Sequence, residues 1–257
     1  MNRLQAEWQR LFLADPAAGE DSGLVSPDGA VRALVLELMR PADWNALARV
    51  WQGVQADLEL PAPAIAVSGT DGYQLWFSLA EPVPASRARD FLEALRARYL
   101  AEIASKRLCL LPVVDEAAPG QVRHAHAVPA LREPSGCWSA FVAPDLAPMF
   151  ASDPWLDIPP SPDGQAELLA RVRSMSHTDF EQALQKLTDD KAASDSAAVA
   201  AADGRASTEP GPADAGADPK RFLLGVMNDP GVALALRIEA AKALLPCCPT
   251  ASRSPAS

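Results

Sequence analysis

Ser68, Gly69 and Gly72 sit in the stretch SGTDGYQLWFSL, residues 68–79, and are residue types that turn backbone N–H groups toward an anion. Ordinary turn chemistry between two strands uses the same residues, so both readings stay open. Immediately downstream, Gln74, Trp76 and Ser78 alternate with Tyr73, Leu75, Phe77 and Leu79, which puts an amide, an indole and a hydroxyl on one strand face. A glutamine amide hydrogen-bonds a base or a phosphate without adding charge, and an exposed indole stacks on a base. The competing outcome for Trp76 is burial beneath the irregular segment over 115–160. Lys106 and Arg107, at the head of KRLCLLPVV, can meet a phosphate or simply flank a strand end. Glu37 is the only acid in VRALVLELM, residues 31–39. Two-metal nucleotidyl transfer holds its ions about 3.5–4 Å apart with several carboxylates, so a single glutamate retains Mg²⁺ poorly. His124 and His126, two apart in VRHAHAV, share a face on a strand but have no third ligand nearby. The chain has no GxxxxGK[ST], no GxGxxG and no GxSxG.

Several elements must position these groups. Leu4, Trp8, Leu11 and Phe12 share one helical face at the start of the chain. Val31–Met39 reads as a buried strand, and Asp43 as the N-cap of a helix carrying Trp44, Leu47, Trp51, Val54 and Leu58. Pro61 and Pro63 introduce a short strand over Ile65–Val67, and the alternating strand from Tyr73 follows the turn. Ser86 is the expected cap of a helix with a stripe of Ala88, Phe91, Leu92, Leu95 and Tyr99, and Lys106–Val114 reads as a further strand. The order β-α-β-β-α-β predicts an α+β fold, with a mixed or antiparallel sheet and helices on one face. Residues 115–160 read as irregular cover pinned by Trp138, Phe150 and Trp155, before two helices near 164–173 and 178–187, the second opened by a Thr178–Glu181 capping box.

The predicted organisation is an α+β domain with a helical appendage over 1–188, an acidic disordered linker over 189–217, a helical hairpin over 218–248 and a tail over 249–257. Asp218–Pro219 starts the hairpin, and its apolar stripes include Phe222, Val226, Met227, Leu234 and Ile238. So small a hairpin must dock on a larger partner, so these five are candidate partner-binding residues.

The 257 residues are 49% hydrophobic and include 24 prolines, enough for a core but with part of the length outside it. A net charge of −10 opposes strong nonspecific binding to nucleic acid, which runs on counterion release at a basic face. Cys109, Cys137, Cys247 and Cys248 contain no CxxC, so neither zinc nor a disulfide framework is expected. The opening MNRLQAEWQRLFLADP has no long apolar run, and no stretch nears a membrane span. The expected location is the cytoplasm, with no membrane partner.

The order of strands and helices, with Ser68, Gly69, Gly72 and Tyr73 in place, resembles the primase-polymerase fold of the archaeo-eukaryotic primase superfamily, above all its small plasmid- and phage-borne members. The resemblance covers about residues 31–114, under half the chain. It implies a nucleotide-binding role for Ser68, Gly69, Gly72, Tyr73, Gln74, Trp76, Lys106 and Arg107, and a metal role for Glu37. Two departures bear on the chemistry. The family's first motif carries paired acids where only Glu37 stands here, and its second carries a histidine where Gln74 stands. The stretch around Met227-Asn228-Asp229-Pro230 is similar to helical segments of phage small terminase subunits. The reading that follows is a protein without catalytic residues, of replication or mobile-element type, that binds nucleotide or nucleic acid weakly; its cofactor stays open, with Mg²⁺ possible but disfavoured by the missing acids. The alternative is an interaction or scaffold module that captures a protein partner through residues 218–248. An active metal-dependent nucleotidyl transferase is the third reading, and the missing acids oppose it.

Overall fold

The computed structural model describes residues 2–15, 23–114, 122–133 and 135–190. Two long strands with strictly alternating side chains organise it. β1 (Ala30–Leu38) and β3 (Tyr73–Pro84) run antiparallel, setting Leu34, Leu36 and Leu38 opposite Phe77, Leu75 and Tyr73. β2 (Ala64–Val67) pairs with the free side of β3, and β4 (Leu108–Leu111) with the free side of β1. With α2 (Trp44–Ala56) and α3 (Ala85–Tyr99) as crossovers, the segment is a split βαβ unit of strand order 4-1-3-2. After the short ribbon of β5 (Val113–Val114) and β6 (Val122–Arg123), two more antiparallel strands widen the sheet. β8 (Cys137–Val142) joins β2, and β7 (Ala130–Arg132) forms the far edge. The fold is α+β, with a six-stranded, fully antiparallel sheet among the described residues.

Period-2 alternation divides the core into two layers. Leu34, Leu36, Leu75, Phe77 and Val142 face α2, α3 and the last described helix, α5 (177–190). Phe91 of α3 bridges the layer, 5.9 Å from Phe77 and 5.2 Å from Phe180. Ala33, Val35, Ala66, Trp76 and Phe141 face the other way and are covered by α1 (Arg3–Leu11) and by α4 (Pro162–Ala170). The crossover helices thus lie on one face, as the alternation implied, while the two flanking helices close the opposite one.

Local departures from the expected elements have plain causes. Asp43 caps α2, its carboxylate accepting the Ala46 N–H at 3.1 Å. α3 begins at Ala85 with no side-chain cap, so Ser86 lies inside the first turn. α5 is capped by Ser176 and Asp179, which exchange backbone and side-chain bonds of 3.1 and 3.3 Å, because Glu181 is spent on Arg87. The strand expected from Lys106 starts only at Leu108, since Ser105–Arg107 form a 3-10 turn, and it stops before Pro112, which has no N–H for a ladder.

Two side chains finish the second layer by acting as backbone. The Gln165 amide accepts the Phe141 N–H at 2.7 Å and donates to the Phe141 carbonyl at 3.0 Å, continuing on β8 the ladder that β7 leaves off. Arg10 of α1 donates to the Leu169 and Val172 carbonyls, at 3.0 and 3.2 Å, where α4 ends and a cation suits the helix dipole. No helix among the described residues is long and apolar enough to cross a membrane.

Candidate functional site

Register brings Glu37 of β1 directly opposite Gln74 of β3, and Cys109 of β4 opposite Glu37 on the other side. The three form a row across the face that α1 and α4 cover. Gln74 Nε2 donates to Glu37 Oε2 at 3.1 Å, and Trp76 Nε1 donates to Gln74 Oε1 at 2.9 Å. The indole therefore fixes which way the amide points, and the amide offers its N–H₂ to the carboxylate. Gln74 is buried and Glu37 half-buried. Desolvation holds the Glu37 carboxyl above the usual carboxylate range; the Gln74 bond offsets this in part, Asp71 adds to it, and Arg132 opposes it. Burial, and next the Glu37 charge, push the Cys109 thiol up as well, so it is no activated thiolate.

The other residues singled out by the sequence lie at or near this end of the sheet but serve the fold. Ser68 Oγ accepts the N–H groups of Thr70, Asp71 and Gly72 at 3.2, 3.1 and 3.0 Å. The Ser68 N–H goes to the Gly72 carbonyl and the Gly69 N–H to the Pro154 carbonyl. All five N–H groups of the turn are thus engaged within the protein, and none is left for the anion expected of this loop. Gly69 has a left-handed φ of +79°, and a Cβ there would meet Ser139 N at 2.6 Å; one on Gly72 would meet the Leu38 carbonyl oxygen at 2.3 Å. Conformation and close packing account for both glycines.

Trp76 is not a stacking platform: it is fully buried, 5.4 Å from Trp8, 5.3 Å from Phe12 and 6.1 Å from Phe141. Its cover is mainly the amphipathic α1, to which the described part of the 115–160 segment adds the Phe141 ring. Tyr73 faces the opposite layer, donates to the Ala147 carbonyl at 2.6 Å, and is raised by burial to about 12. Arg107 donates to the Pro41 carbonyl at 2.7 Å and its own carbonyl receives the Met39 N–H, so it braces the loop after β1; Lys106 is exposed beside it. His124 is closed to a metal, because Nδ1 accepts the Ala125 N–H at 2.8 Å and Nε2 lies 2.9 Å from the Ala33 carbonyl. These bonds assign the neutral tautomer with the proton on Nε2, and desolvation lowers its pKa accordingly. Among the described residues no three His, Cys, Asp or Glu gather as a metal site, so Glu37 belongs to no such group. The stripe of Phe222, Val226, Met227, Leu234 and Ile238 lies outside the described residues.

Sequence reasoning missed Arg132, whose Nε donates to the Ser68 carbonyl at 3.1 Å and whose charge acts on Glu37. It comes from β7, in a stretch with too little alternation to read. Cys109 was missed as a member of the row too, because its place opposite Glu37 is set by the β1–β4 register, which no local signal announces. No protein-family model matches the chain, and no curated protein matches its sequence.

The Glu37 row carries a stability signature. A carboxyl raised above its unfolded value favours folding fully below the unfolded pKa, and that contribution is lost as pH rises through the folded pKa. Above the ordinary glutamate range the buried carboxyl therefore costs stability as it ionises. Glu37→Gln keeps an acceptor for Gln74 and should raise the melting temperature at pH 7–8. The gain should vanish as both proteins are taken below about pH 4, within the ordinary glutamate range. Thermal unfolding of the two proteins across that pH series checks it.

Proposed function

We propose that this chain is a non-catalytic nucleotide- or nucleic-acid-associated protein of replication or mobile-element type, with a primase-like sheet as its ancestry and the Glu37–Gln74 row as its contact. The observation that carries the reading is a half-buried glutamate, its carboxyl raised by burial, gripped by a glutamine that a buried indole orients. Groups held against stability are where function is sought. A carboxylate beside an amide accepts from the exocyclic amino group of a base, and Arg132 supplies the nearby positive charge for a phosphate. With one acid in the row, magnesium has no role in binding.

The test is equilibrium binding of labelled nucleoside triphosphates with Mg²⁺ and with a chelator. The expected result is a dissociation constant above about 10 μM, unchanged by the chelator and lost in Gln74→Ala and Glu37→Ala. Lys106→Ala, at the same end of the sheet, should weaken it less. No binding at millimolar nucleotide sinks the proposal. Primer synthesis abolished by Glu37→Ala replaces it with an active transferase.

A further inference from the structure

Beyond the pair Ile65–Val142, β2 and β8 part. Three prolines cause the separation: Pro61 and Pro63 upstream of β2, and Pro144 downstream of β8, have no N–H with which to extend the ladder. Between the diverging chains lies a cleft of about 300 Å³, walled by Trp51 of α2 on one side and by Leu168, Leu169 and Val172 at the end of α4 on the other. Trp51 spends its indole N–H on the Pro63 carbonyl at 3.1 Å, so it offers the cleft only its ring. A concave apolar space with a few polar groups at its margin is the usual form of a small-molecule site.

Two charged side chains of opposite sign line the cleft, Asp145 and Arg171. Asp145 has no side-chain hydrogen bond or ion pair among the described residues. Among the described residues Arg171 is held only by Glu167, one turn back on its own helix, in an exposed pair worth at most a few tenths of a kcal/mol. A second recess, sharing Ala62 and Arg171 with the cleft, adds Arg173, whose guanidinium also has no partner among the described residues, and Glu59. Neither a simple anion nor a simple cation matches a rim that carries both signs.

We propose that this cleft binds a free α-amino acid with a large apolar side chain, of the phenylalanine or leucine class. The side chain fills the space beside Trp51, the carboxylate meets Arg171 and the ammonium meets Asp145. The site is separate from the Glu37 row, and its failure leaves that reading untouched.

Calorimetric titration of the full chain with L-phenylalanine, N-acetyl-L-phenylalanine and L-phenylalaninamide tests it. The first should bind saturably, and each of the others, lacking one charge, at least about tenfold more weakly. Arg171→Met should cost a similar factor and abolish the distinction between the free acid and its amide. Asp145→Asn should do the same for the acetylated ligand, and Ala143→Leu, which fills the cleft, should remove binding. Unchanged melting temperatures establish that these surface variants fold. No saturation by phenylalanine at about 10 mM, equal affinity for all three ligands, or full binding by Ala143→Leu overturns the proposal.

Discussion

Replacing Arg32 by methionine should lower stability by about 3 kcal/mol, with the urea midpoint moving and the slope unchanged. Arg32 is buried in β1 and has no carboxylate partner among the described residues. Its guanidinium instead donates to three carbonyls, those of Leu79 at 3.0 Å, Leu13 at 3.2 Å and Arg10 at 2.9 Å. The first belongs to an irregularity in the β1–β3 pairing. The register jumps from Val31↔Val83 to Ala33↔Ser78, and β3 there turns to residue 175 for its bonds. The other two close the end of α1. One fork thus joins the bulge to the helix that seals the second core layer. Methionine fills the volume and leaves the three oxygens short of a donor. Lysine keeps the charge, already disfavoured here by burial and next by Arg10. Its compact ammonium lacks the planar fork, so Arg32→Lys should recover less than half the loss. For a domain of this size the methionine variant should melt roughly 6–12 °C lower. If Arg32→Met melts with the parent, the guanidinium is not what secures α1.

Arg32 also shows where sequence reading stops. It sits in VRALVLELM, and its neighbours announced the strand, but nothing local says that a cation in that run will be buried. The compensating carbonyls come from residues 10, 13 and 79, which only the fold assembles. The split βαβ unit was legible because its signals are local: Asp43 before a helix, prolines before β2, seven alternating residues from Tyr73. β8 was lost for the opposite reason. Cys137–Val142 is short and, Ser139 apart, apolar without alternation, and it becomes a strand because β2 offers an open ladder and Gln165 finishes its outer side. The Ser176 cap was misread as Thr178 because both positions satisfy the motif, and only the pairing of Glu181 with Arg87 decides between them.

The same division holds at the candidate site. Alternation put Gln74, Trp76 and Ser78 on one face, and the structure agrees. What alternation cannot say is whether a polar face meets water. Here α1 covers it: Ser78 donates to the Leu11 carbonyl at 2.7 Å, and Trp76 lies under Trp8 and Phe12. The amphipathic stripe of Leu4, Trp8, Leu11 and Phe12 was visible, but a stripe does not name the surface it covers. Ser68 likewise met the pattern for anion binding and then spent its own oxygen on the turn, a choice that backbone geometry makes and composition does not record.

Trp76 links core and site, and its replacement has the largest expected effect. Trp76→Ala removes a fully buried side chain from contact with Trp8, Phe12 and Phe141 and should cost about 3–5 kcal/mol. That loss mixes packing with hydrogen bonding. Trp76→Phe separates them, keeping a ring in the cluster while deleting the N–H that holds Gln74 Oε1. A buried acceptor then lacks its donor, at about 1–2 kcal/mol. The amide also becomes free to turn over and present its oxygen to Glu37. Because the Gln74 bond is what chiefly holds the Glu37 carboxyl down against desolvation, its loss should move that pKa further up. Carbon-detected NMR titration of the Glu37 carboxyl reads the shift directly. A cycle of Trp76→Phe, Gln74→Leu and the double variant should show coupling of about 1 kcal/mol, because either change alone breaks the same bond. An unmoved Glu37 titration in Trp76→Phe, with additive stabilities, means that the indole only packs. The Glu37 carboxyl is then set by the sheet and Arg132 without help from the core.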